Sequence, residues 1–200
     1  VPEIENYLGV IVSEGIFPPY LAFYKESIRF HIESAMTSID VLASFAEMTN
    51  ESCGDYEVNG DLQRSLLDHL HNLFLHSATV SRYFWPSKPG KNESHKIRGK
   101  QLREAFSIEN DSPLKSRRLR NKLEHFDENL DYYLNDCSIV GYVLPSYVGG
   151  KIESNGVPAH IFRAFYIDTA EFEVLGERFE VQPIVDEICK IHMQFYPQGT

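Results

Sequence analysis

The sequence predicts an α+β protein: an antiparallel helical bundle followed by a small antiparallel β-sheet and a C-terminal amphipathic helix. Three observations carry this expectation. Apolar residues recur at three- and four-residue intervals through the first two thirds of the chain. From about position 137 the pattern shifts to period two in a composition rich in β-branched and aromatic residues. A last stretch opening on Gln182-Pro183 then returns to helical spacing. The expected division is a helical unit over 1–136 and, over 137–200, the sheet with its closing helix, packed as an appendage of the same domain.

After Pro18-Pro19, the series Leu21, Tyr24, Ile28, Ile32, Ala35, Ile39, Leu42 and Ala46 marks a first helix from about Tyr20 to Met48. An acidic, Gly-containing loop over 49–60 follows. Asp61 is the expected N-cap of a second helix whose stripe is Leu66, Leu70, Leu73, Ser77, Val80 and Phe84, ended by Pro86. The Lys/Pro/Gly-rich run Pro86 to Glu93 reads as a loop. A shorter helix, Ser94 to Phe106, carries Ile97, Leu102, Ala105 and Phe106. Ser112 as N-cap and Pro113 at the first helical position open a fourth helix running to Leu134, with Leu119, Leu123, Phe126, Leu130 and Tyr133/Leu134 inward. Strands are expected at Ser138 to Leu144, His160 to Asp168, Glu171 to Val174 and Arg178 to Val181, the last two joined around Leu175-Gly176. Pro145 to Pro158 reads as a flexible tip. In the final helix Ile184, Ile188, Ile191 and Phe195 form an apolar stripe expected to pack on the sheet.

A chain of 200 residues can bury a core without a metal or disulfide. Cys53, Cys137 and Cys189 are widely spaced and form no C-x-x-C, which points away from a disulfide framework and a zinc ribbon. No metal or cofactor is expected, and a reducing cytoplasm fits this cysteine usage. No apolar run approaches a membrane span, and the opening Val-Pro-Glu-Ile-Glu lacks the basic and apolar regions of a signal peptide. The net charge of −10 disfavours indiscriminate attraction to polyanions. Yet Lys91 to Lys122 holds ten basic residues against four acidic, a net of +6 beside −16 for the remainder. A locally cationic surface on an acidic body is expected.

The segment from Ser112 to Leu134 is unusual for one helix. Lys115, Arg117, Arg118 and Arg120 crowd its first half, and Asp127, Glu128 and Asp131 its second, the reverse of what the helix macrodipole favours. On this helix Asn121 and Glu128 lie opposite the core stripe with Arg117 and His125 beside them, while Arg120 lies about 140° from His125 around the axis. A cationic helix start favours a phosphate. The alternative is a solvated surface on which Arg120 pairs with Glu124.

Arg120-Asn121-Lys122-Leu123-Glu124-His125 is an Arg-polar-x-x-x-His string on a late helix, and it resembles the motif of the HEPN superfamily of nucleotide-binding domains. The resemblance covers roughly Tyr20 to Leu134. It implies that Arg120, the polar Asn121 and His125 line a cleft shared by two protomers. It further implies metal-independent endoribonuclease activity, in the manner of toxins or antiviral effectors, with RNA or a nucleotide as ligand and an antitoxin or regulatory protein as a further partner. A homodimer is therefore expected. Asp127 stands where one toxin subgroup carries a Tyr, which separates this chain from that subgroup.

The chemistry is coherent without a metal. RNA brings its own 2′-OH nucleophile, an imidazole can act as general acid or base, and a guanidinium can stabilise charge growing on the phosphate oxygens. His125 takes the acid-base role, Arg120 the electrostatic role and Asn121 a positioning role, with Lys115, Arg117, Arg118 and Lys122 binding the RNA backbone. The alternative is a non-catalytic nucleotide- or RNA-binding interaction module. Elsewhere the signals are weak. His69 and His76 are two turns apart, too far to share a metal, and His31 lacks ligand spacing. Gly149-Gly150-Lys151 reads as a turn rather than a phosphate loop. Tyr83, Phe84 and Trp85 beside the basic loop are expected to close a core rather than stack on bases.

Overall fold

The computed structural model describes residues 16, 18–51, 58–86, 94–136, 139–152 and 156–196. Most of the two expected loops, 49–60 and 86–93, lies outside them, as do Cys53 and Cys137. The protein is a mixed α and β structure.

Pro18–Tyr20 forms a 3-10 turn that leads into α1, Leu21–Glu51. This helix buries Ile28, Ile32, Ala35 and Ile39, as the spacing requires. Near its end Phe45 faces the core in place of the expected Ala46, which is exposed. Helix α2, Gly60–Phe84, buries its whole predicted stripe. Its N-cap is Asn59 rather than Asp61: the Asn59 side chain accepts a hydrogen bond from the Leu62 amide at 2.9 Å. Asn and Asp cap about equally well, so local preference did not separate them. The two helices run antiparallel, with Ser27 beside Tyr83 at 2.6 Å and His31 beside His76 at 3.0 Å.

Helix α3, Ser94–Ala105, crosses the end of α2 at Gly99, where a Cβ would lie 2.6 Å from the Phe84 carbonyl oxygen. Arg103 donates to that same carbonyl. Phe84 packs edge-on against both Trp85 and Phe106, so these rings close the core, as expected.

The fourth predicted helix is corrected most. Instead of one helix there is a 3-10 turn at Pro113–Lys115, an extended Ser116, then α4, Arg118–Glu124, and α5, Phe126–Asp136. Ser112 does not cap a helix with its side chain. Its hydroxyl, buried, donates to Glu187 at 3.0 Å. Leu119 is buried, whereas Leu123, Phe126, Leu130 and Tyr133 are only partly covered and Leu134 is exposed.

The strands are β1 Tyr142–Leu144, β2 Tyr147–Gly149, β3 Ala159–Ile161, β4 Arg163–Tyr166, β5 Glu171–Val174 and β6 Glu177–Glu180. The expected all-antiparallel sheet is also corrected. β1 pairs with β3 and β2 with β4 in parallel, while β4-β5-β6 are antiparallel. Two bent ribbons, 142–149 and 159–166, therefore lie side by side, so the segment Pro145 to Pro158 contributes a strand instead of being wholly a flexible tip. Alternating side chains report which face is buried and say nothing about strand direction. The β5–β6 hairpin turns at Leu175 and Gly176, both at positive φ (49° and 77°), as a two-residue turn of this kind requires.

Helix α6, Gln182–Phe195, starts where Pro183 was expected to start it. Its principal partner is α1 rather than the sheet: Cys189 meets Met36 at 3.9 Å and Tyr196 bonds Glu33. One core cluster joins Ile28, Ile32, Leu70 and Leu73 of the hairpin to Phe172 and Val174 of the sheet and to Ile188 and Ile191 of α6. Phe74 stacks on Phe172 at 5.2 Å between centroids.

Candidate functional site

The site is built on the break between α4 and α5. His125 sits at that break with φ −114° and ψ 41°. Its amide closes α4 by donating to the Asn121 carbonyl at 3.1 Å, and its own carbonyl receives both the backbone and side-chain N–H of Asn129, at 2.9 and 2.5 Å. The break relieves part of the inverted charge order, while Arg118 and Arg120 stay in the first turn of α4. Asp127 and Glu128 lie in the first turn of α5 and Lys122 in the last turn of α4, each at the helix end where its charge is stabilised. Lys115 and Arg117 precede α4 and are not helical residues of it.

Arg118, Asn121, Lys122, His125, Glu128 and Asn129 line an open groove of about 430 Å³, closed at its edges by Tyr132 of α5 and Glu177 of β6. The His125 imidazole is 57% exposed and 3.7 Å from the Glu128 carboxylate. Glu177 draws the two cations together, Arg118 at 2.5 Å and Lys122 at 3.9 Å. Four of the seven residues selected from sequence thus share one surface. Asn129 was findable from sequence as the residue one turn beyond His125. Glu177 comes from the sheet and carried no such signal.

The other three lie elsewhere. Lys115 donates to the Asn110 carbonyl at 2.9 Å and Arg117 to the Pro86 carbonyl at 3.1 Å, so both brace loops. Arg120 points away from the groove, toward α2. Its side chain is only 8% exposed, and it lines small cavities with Phe74 and Ala78. Its Nε lies 3.8 Å from Glu124, which also pairs with Arg82, and its Nη2 donates to Asn121 over a long 3.4 Å. Nε and Nη1 are buried without a hydrogen-bond partner. Burial first, and then the neighbouring Arg82 and Arg117, push this guanidinium below its ordinary pKa. The placement of Arg120 in a cleft beside His125, implied by the family resemblance, is not what this single chain adopts, because a seven-residue helix that buries Leu119 also turns residue 120 inward.

A pairing that sequence reading missed is His31 with His76, whose Nδ1 atoms lie 3.0 Å apart across α1 and α2. Neither residue had a visible partner in its own helix. Gly149 and Lys151 belong to the end of β2 and the turn after it, where the Lys151 amide donates to Asp168 at 3.0 Å.

No family model, curated protein or solved structure matches the chain. Among the described residues no helix is long and apolar enough to cross a membrane.

Proposed function

We propose that the protein is a HEPN-type module that takes an RNA or nucleotide phosphate into the groove beside His125, and that two copies facing across this groove cleave RNA without a metal. The observation that supports it is the convergence of Arg118, Asn121, Lys122 and His125 on one open surface. In this reaction the 2′-OH attacks the adjacent phosphorus, one imidazole takes the hydroxyl proton and the second copy's imidazole protonates the departing 5′-oxygen. Arg118 and Lys122 exchange Glu177 for phosphate oxygens, and Asn121 positions the phosphate. Arg120 holds α4 against α2 rather than touching the phosphorus-bound oxygens. A toxin or effector held in check by a protein partner is the setting such an activity fits.

A second reading, binding without cleavage, is favoured by the inward turn of Arg120, which leaves the groove without the guanidinium of the Arg-polar-x-x-x-His string. Incubation of the protein with labelled RNA in chelator, beside His125→Ala, separates the two. Cleavage by the wild type that is lost in the variant while binding persists supports the nuclease. Salt-sensitive binding with no cleavage by either supports the module. Absence of both discards the groove as an RNA site. Sedimentation across a concentration series tests the dimer.

A further inference from the structure

A second cleft, formed by α2 and β4 and closed by the loop between β1 and β2, shares no residue with the groove at His125. Its volume is about 520 Å³, in the range of pockets that hold small metabolites. Arg64 and His71 project from α2 and Arg163 from β4, with Asp68 the one carboxylate among its lining residues. Gln63 donates to the Ser146 hydroxyl and carbonyl at 2.9 and 3.3 Å, which ties the β1–β2 loop to the helix and fixes the shape of the mouth.

The electrostatics of this cleft are unbalanced. Arg163 is half-buried and its guanidinium stacks over the Phe126 ring at 3.8 Å from the centroid, so the cation is both desolvated and held in a fixed plane. Burial depresses its pKa. Among the described residues neither Arg163 nor Arg64 has a carboxylate within 4.0 Å, although ion pairs occupy Arg29, Arg82, Arg118, Arg120 and Arg178. His71 is held below its ordinary pKa by burial and then by Arg163, with Asp68 opposing. A desolvated, oriented guanidinium without a counter-charge is stabilised by an incoming anion, and Arg163 so placed, with the exposed Arg64, a hydroxyl and an imidazole beside it, suits a tetrahedral dianion.

From this arrangement we infer that the α2–β4 cleft binds a phosphate monoester of nucleotide size, its phosphate held between Arg64 and Arg163. Asp68 opposes the ligand and so limits its affinity. His71 gains a proton as the dianion enters, because a new negative charge favours the imidazolium. The site is independent of the reading given to the His125 groove.

Isothermal titration of the full chain with adenosine 5′-monophosphate, adenosine and inorganic phosphate tests it. The monophosphate binds, adenosine does not, and Arg64→Gln and Arg163→Met each weaken the monophosphate about tenfold. Asp68→Asn strengthens it. Should Arg163→Met fail to fold by circular dichroism, the exposed Arg64 and Asp68 variants decide the matter alone. Competition by a 5′-phosphorylated oligonucleotide supports the site with an RNA end as the source of the phosphate, and binding of the mononucleotide alone supports it with a free nucleotide. Three results overturn the inference: no heat from the monophosphate at millimolar concentration, adenosine binding as well as its phosphate, or undiminished binding in a folded Arg64→Gln.

Discussion

Replacing Arg120 by Met separates a guanidinium kept for stability from one kept at a cost. The side chain is 8% exposed, its Nε and Nη1 find no hydrogen-bond partner, its bond to Asn121 is long at 3.4 Å, and Glu124 stands 3.8 Å away, beyond hydrogen-bonding distance. Each unsatisfied buried donor costs about 1–3 kcal/mol, and Glu124 is not left uncompensated when Arg120 is lost because it keeps Arg82 as its partner. The Met stem retains the packing against Phe74 and Ala78. Arg120→Met is therefore expected to gain about 1–2 kcal/mol, a rise of roughly 2–8 °C in Tm for a chain of this size. Glu124→Gln is expected to act in the opposite direction. It strips Arg82 and Arg120 of their carboxylate and costs about 1–2 kcal/mol, less than the 3–5 of a fully buried pair because the Glu124 side chain is 29% exposed. Urea unfolding of both variants, with the slope checked for constancy, reads these changes. A loss above about 2 kcal/mol in Arg120→Met would refute the reasoning, because it would mean that the pairing outweighs the desolvation.

Gly99→Ala gains about 1 kcal/mol of helix propensity, yet its Cβ would sit 2.6 Å from the Phe84 oxygen and 2.9 Å from Pro86 Cδ. A net loss of about 1–3 kcal/mol is expected by thermal unfolding, and a raised Tm would show that α3 can shift freely. The His31–His76 pair sets an acid limit. Both imidazoles are held below the ordinary histidine pKa by burial, and His31 further by His76. In the window between the folded values and about 6.5 the unfolded chain binds more protons, so stability falls as pH drops through that window and levels off below it. Urea midpoints compared at pH 7.5 and pH 5 should show this fall, reduced in His31→Phe. An equal fall in that variant would shift the cause to other groups.

The elements legible in the sequence are those whose signals are short-range. The α2 stripe, the Pro183 start of α6 and the Leu175-Gly176 turn each depend on residues within a few positions of one another, and the described structure carries all three. The cationic run and the acidic run around His125 were equally visible. Read as one helix they violate the macrodipole, whereas two helices meeting at residue 125 relieve this for Lys122, Asp127 and Glu128 and leave Arg118 and Arg120 at the start of α4, so the charge order held part of the clue to a break that no Gly or Pro marks.

Tertiary structure alone decided the rest. Period-two alternation is the same for parallel and antiparallel neighbours, so the pairing of β2 with β4 depended on how the chain crossed over and not on the strands themselves. The inward turn of Arg120, the approach of Glu177 to Arg118 and Lys122, the meeting of His31 and His76, and the cleft between Arg64 and Arg163 all join residues from separate elements. Propensity and periodicity act over a few residues of chain, while desolvation and charge pairing depend on which surfaces come into contact once the chain has packed.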